Sequence, residues 1–319
     1  MRCISSLVVA PPVAEGVAGV PQIMEADAIE AGRCEGTEPD PSEVVPPQDT
    51  TPGAEEDKPG SAGTGVLGQM EREQAHELMA MTYQGAAMVL TKLGETDLAW
   101  IAADRGLAAA QQSGNAVMTG SLFRSVAHCL LSNGRFDAAT QLIGDAGEYL
   151  RPGLGDASPE FLSIYGTLFL TGSMAAARAE DRATTQTFLA EADRAAQRLG
   201  TDANHVWTAF GPTNVAIHRV ATAAELGDMQ IAADLGPQID TSSLPTERRT
   251  RHNLEVARAL SAHNRMDDAL AKVLEAESWA PEQVRSHYLA RELVLTWVRN
   301  QRGRPSRDLA DLAKRLHVV

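Results

Sequence analysis

The sequence predicts an all-α fold made of about six helical hairpins, and three observations carry that prediction. From about Gln69, Ala- and Leu-rich stretches of about 15–22 residues with helical period are separated by short Gly, Asn, Asp or Pro punctuation. No strand-like alternation interrupts them. The breaks also fall on one frame: Gly94 precedes Ala99 by five residues, as Gly134 precedes Ala139, Gly227 precedes Ala232 and Asn264 precedes Ala269. Such a frame is what stacked, mutually burying repeats require.

Each hairpin can be placed in turn. The first turns at LTKLGETDLA and the second at LLSNGRFDAA. An acid stands two residues before the small residue at Asp97, Asp137 and Asp267, with Gln230 as the exception, and small residues stand seven before the break at Ala87, Ala127 and Ala257, with Val220 in the fourth copy. The third hairpin must lie within residues 158–200, where the turn AEDRATT has no Gly and leaves its register open. The fourth, AAELGDMQIAADLGPQI, is weaker, and the fifth, SAHNRMDDALAKVLEAESWAP, ends at Pro281. A sixth runs from Glu282 to the end, with RPSRDLADLAKRLHVV as its closing helix. An unrelated antiparallel helical array is the alternative that spacing alone leaves open.

Residues 1–68 read differently. Up to residue 65 they hold nine of the sixteen prolines, no aromatic and no histidine, and twelve acids against Arg2, Arg33 and Lys58, a net −9 of the chain's −14. A segment so poor in apolar bulk cannot offset an ordering cost of about 1–2 kcal/mol per residue, so disorder is expected for 1–68 and a folded repeat domain for 69–319. The GxGxxG at Gly63–Gly68 follows DKPGSA rather than a strand, which makes it a linker and not a dinucleotide fingerprint.

The frame resembles the tetratricopeptide repeat, and that resemblance implies a right-handed α-solenoid. AAMVLTKLGETDLAWIAADRGLAAAQQSG followed by SLFRSVAHCLLSNGRFDAA further resembles the C-terminal sensor region of actinobacterial helix-turn-helix regulators of the XRE type, over about residues 70–319. That family implies an array that binds a peptide or small effector and forms a homodimer, preceded by a DNA-binding head. Residues 1–65 show no amphipathic helix pair and no basic recognition helix, so DNA binding is expected only if a helix-turn-helix is supplied upstream. Either that head is lost or the start lies in a misassigned reading frame.

Catalysis, metal binding and cofactors are not expected. HExxH, GxSxG and the phosphate-loop motif are missing, and Glu73-x-x-His76 has no second copy with which to build a di-metal bundle site. Cys3, Cys34 and Cys129 form no CxxC, an odd count that fits a reducing cytoplasm, and Cys129 within VAHCLL reads as a buried thiol. No apolar run approaches a membrane span. The acidic balance opposes an extended nucleic-acid surface.

A binding role remains. In the tetratricopeptide pattern the first helix of each hairpin lines a concave groove, and counting back from each break places Gln84, Arg124, His128, Asn214, Arg251 and Arg258 there, with Arg285 and Tyr288 added by continuing past Pro281. Arg forks suit carboxylates, and Asn amides pair with a peptide backbone. The expected partners are a peptide, a small effector or a protein. Two functions follow: the sensing module of a regulator, or a free-standing scaffold for protein–protein interaction.

Overall fold

The computed structural model describes residues 61–300 and 304–318, and every regular element among them is helical. Thirteen α-helices run in order: α1 (Ser61–Lys92), α2 (Thr96–Ser113), α3 (Ala116–Ser132), α4 (Phe136–Leu150), α5 (Pro159–Arg178), α6 (Arg182–Leu199), α7 (Pro212–Glu225), α8 (Met229–Leu235), α9 (Thr246–Ala262), α10 (Met266–Trp279), α11 (Pro281–Ser286), α12 (Tyr288–Asn300) and α13 (Arg307–Arg315). None is long and apolar enough to cross a membrane.

Five of the inter-helix turns are built alike. A residue with φ between 56° and 84° stands at Gly94, Gly134, Glu180, Gly227 and Asn264. In each turn the next residue's N–H reaches back to the carbonyl four before the break: Glu95 to Leu90, Arg135 to Leu130, Asp181 to Ala176, Asp228 to Ala223 and Arg265 to Leu260, all at 2.8–3.0 Å. This closure satisfies carbonyls that a helix end leaves orphaned. Glu180 therefore supplies the third turn, and its register follows: Thr185 stands five after it and Ser173 seven before it, both buried. They take the places of the alanines in the other copies, where Ala99, Ala139, Ala232 and Ala269 have no exposed surface. Small side chains at these crossings let paired helices approach closely.

Consecutive helices pack as pairs, α1 on α2, α3 on α4, α5 on α6, α7 on α8 and α9 on α10. First members also touch in succession, α1 to α3, α3 to α5, α5 to α7, α7 to α9 and α9 to α12. α5 sits in the middle and is buried almost all round, with the rings of Phe161, Tyr165 and Phe169 meeting in succession, Phe169 edge-on to Phe188, and Phe210 seated on Gly166, where a Cβ would collide with its ring. Local chemistry starts the helices: Asn115 Oδ1 accepts from the N–H groups of Val117 and Met118 at 3.0 and 3.1 Å, Ser158 caps α5, Asp181 caps α6, and Pro212 and Pro281 occupy first turns.

Two expectations shift. The boundary anticipated at residue 68 falls inside α1, which begins at Ser61 and runs through Gly63, Gly65 and Gly68. Those glycines cost about 1 kcal/mol each in a helix, yet once a long helix is nucleated each added residue gains a hydrogen bond. The expectation for residues 1–60 lies outside the described residues. The last hairpin is also broken at its first member, because His287 at ψ 122° separates α11 from α12. Its closing helix is held by Glu277, which accepts from Arg315 Nε and Nη2 at 2.7 and 2.6 Å and from Arg285 Nε at 3.3 Å.

Candidate functional site

A cavity of about 280 Å³ opens where α1, α3, α5, α7 and α9 adjoin, and every residue lining it comes from one of those five first members. α3 contributes Arg124 and His128, α7 contributes Ile217 and His218, and α9 contributes Arg248, Arg251 and Glu255. α1 and α5 add Met88, Thr167, Met174 and Arg178.

The positions drift along the array. On α3 the lining Arg124 and His128 stand ten and six residues before the break at Gly134, whereas on α9 Arg248, Arg251 and Glu255 stand sixteen, thirteen and nine before Asn264. Successive helices are thus offset along their axes, and the cavity crosses them obliquely.

One edge is neutralised internally. Arg178 lies 3.7 Å from Glu225, Arg258 reaches Glu225 at 3.4 Å and Glu255 at 2.8 Å, so two cations and two carboxylates close a chain there. The opposite end is not balanced. Arg124 and Arg251 have no carboxylate within 4 Å among the described residues, and Arg248 meets only Glu247, at 3.5 Å, whose side chain is 60% exposed to water. The Nε of Arg124 is buried without a hydrogen-bond partner.

Titration behaviour follows from that imbalance. Burial, reinforced by the charge of Arg248, lowers Arg124 to about 10. His128 faces the open interior of the cavity with protein around it, and burial followed by the charges of Arg124, Arg248 and Arg251 holds it well below the usual imidazole range. His218 is lowered to about 3, by burial first and then by Arg248, although the hydrogen bond from its Nδ1 to the Asn214 carbonyl at 2.8 Å works the other way. The neutral His218 ring therefore carries its proton on Nδ1 and a lone pair on Nε2. Both imidazoles are uncharged at neutral pH, and the three arginines supply the charge.

The chain matches no protein-family model, no curated protein and no solved structure. Function rests on this geometry and on the chain's own residues.

Of the residues expected in a groove, Arg124, His128 and Arg251 line the cavity together. The other five do not. Gln84 donates to Ser121 Oγ between α1 and α3. Asn214 is fully buried, donating to the Thr208 carbonyl at 3.5 Å. Arg258 is engaged by its two carboxylates, Arg285 pairs with Glu277, and Tyr288 stacks on His287. The sequence reading missed Arg178, His218, Arg248 and Glu255. The signal for Arg178 was present once Glu180 is taken as the third break, because it then ends the third first-member helix. The signal for Arg248 was not, since the axial offset between helices cannot be counted from a break.

Among the described residues, no group of three or more His, Cys, Asp or Glu side chains is placed to hold a metal ion. Cys129 is buried, with Sγ 3.7 Å from Thr91 Oγ1, and burial pushes its thiol above the usual range. The cavity offers hydrogen-bond donors, cationic charge and an apolar wall.

Proposed function

We propose that this chain is an effector-sensing helical repeat module, a right-handed α-solenoid of tetratricopeptide type whose cavity takes a small organic anion or the acidic end of a peptide. The supporting observation is the cluster of Arg124, Arg248 and Arg251 on the cavity wall, where among the described residues Arg124 and Arg251 have no carboxylate within 4 Å and Arg248 meets only the water-exposed Glu247. An uncompensated charge in such a place is costly, and a natural protein that keeps it gains the energy back when an anion arrives. The five shared turns and the succession of first-member contacts support the repeat reading. Five helices converge on one ligand, so occupancy would alter their mutual offset and hence the geometry presented to an attached DNA-binding head. Exposed Leu78, Met79, Val89, Leu98 and Ile101 on α1 and α2 supply a surface for the homodimer that the family resemblance implies.

Calorimetric titration with a panel of small organic acids and acidic peptides tests this reading, using the wild-type chain and Arg124→Met. Saturable binding that Arg124→Met removes supports the sensor. Peptide binding that Arg124→Met leaves intact, with no organic acid bound, favours a protein-interaction scaffold.

A further inference from the structure

The cavity has two chemically different ends. Arg248 and Arg251 lie in the first half of α9 and Arg124 at the midpoint of α3, close enough that the charge of Arg248 lowers Arg124 and the charges of all three act on His128. Met88, Leu131 and Met174 stand only six, three and six residues before their turns, towards the turn end of α1, α3 and α5. Arg178 lies at that second end too, but Glu225 engages it.

Glu247 meets Arg248 at 3.5 Å and Glu255 is engaged by Arg258 at 2.8 Å, so the three arginines at this end still carry more charge than one ligand carboxylate can balance. Three guanidiniums with about fifteen N–H donors face the space, and a single carboxylate has two oxygens and one negative charge. A phosphate monoester brings three acceptor oxygens and about −1.5 to −2 charge at neutral pH, and the guanidinium fork matches it bidentately. The neutral rings of His128 and His218 beside the arginines add hydrogen-bonding capacity without adding charge. The apolar end, where Leu131 and Met174 are half-buried and Met88 is 50% exposed, calls for a compact body on the same molecule within a cavity of about 280 Å³.

We propose that the ligand is a phosphate monoester with a compact apolar body, its phosphate held among Arg124, Arg248 and Arg251 and its body against Met88, Leu131 and Met174. This assignment rests on the cavity being an anion-sensing site, and the test separates the two. Phenyl phosphate, inorganic phosphate and benzoate are titrated calorimetrically at low salt, above the second phosphate pKa of about 6, into wild type, Arg251→Gln and Met174→Gln. Arg251 is exposed and Met174 half-buried, so both variants are expected to fold, with unfolding curves as the check.

Phenyl phosphate is expected to bind at least about tenfold more tightly than either of the other two. Arg251→Gln should weaken it at least about tenfold, and Met174→Gln should weaken phenyl phosphate while leaving inorganic phosphate unchanged. If benzoate binds as tightly as phenyl phosphate and Arg251→Gln removes both, the phosphate assignment is wrong and the anion site stands. If none of the three binds, or if Arg251→Gln changes nothing, both readings fail.

Discussion

Arg124 Nη1 lies 3.4 Å from His128 Nε2, one turn along α3, and among the described residues no carboxylate comes within 4 Å of that guanidinium. A cation donating to a neutral ring is poorly compensated. Replacing it with an apolar side chain of similar length removes the burden of an enclosed charge. Arg124→Met is therefore expected to raise the stability of the empty protein by about 1–3 kcal/mol while abolishing anion binding. Thermal unfolding without ligand reads the first effect, and a lowered melting temperature would contradict it.

The third turn yields a second prediction. Glu180 holds φ 60°, a region that costs a side-chain-bearing residue about 1–2 kcal/mol and glycine little. Glu180→Gly should stabilise the chain by about 1 kcal/mol, and Gly134→Ala, at φ 67°, should destabilise it by a similar amount. Chemical denaturation of both variants checks the pair, since the shared turn requires opposite signs.

That same residue marks how far the sequence could be read. Gly94, Gly134, Gly227 and Asn264 announce themselves because left-handed backbone favours Gly and Asn, and the small residues at fixed distances confirmed one frame. Glu180 carries no such signal, and Thr185 and Ser173 disguise the two small positions. In the cavity, Arg124, His128 and Arg251 were legible because the positions counted back from the turns at Gly134 and Asn264 reach it. Arg258 was misplaced because Glu225 and Glu255, on α7 and on its own helix, claim it, and Arg248 was overlooked because α9 presents an earlier stretch to the cavity. Offsets between helices and competition between ion-pair partners are tertiary facts.

Acid sensitivity is expected to begin early. With a folded-state value of about 3 against about 6.5 when unfolded, His218 takes up its proton preferentially in the unfolded chain. Stability is then constant above about pH 6.5 and falls as pH drops towards 3, by about 2 kcal/mol at pH 5 for this one group. His128 and His252, also lowered, act in the same direction. Glu277 and Asp202, whose carboxyls are held low, add their loss only below the ordinary carboxylate range. Stability measured between pH 7.5 and 5 should slope downward with acid, and less steeply in His218→Asn, with His128 and His252 supplying the remaining slope. A flat wild-type profile would sink the assignment of neutral imidazoles beside the arginines.

Glu277 joins α10 to α11 and α13 through Arg285 and Arg315. Glu277→Ala should cost about 1–3 kcal/mol, because its carboxylate is shielded and bidentate to Arg315. The loss should be local, with faster amide exchange in residues 307–316 and unchanged exchange in α3 and α5. Uniform loss of protection along the chain would mean that α13 is not a separable closing element.

Nuclear magnetic resonance of the arginine Nε–Hε groups reads whether the cavity arginines of the first-member helices form the anion site. During titration with phenyl phosphate, Arg124, Arg248 and Arg251 should shift together and saturate on one binding curve, while exposed Arg307 stays still. Shifts confined to surface arginines such as Arg307, with the three cavity resonances unmoved at saturation, would mean that the anion does not bind in the cavity.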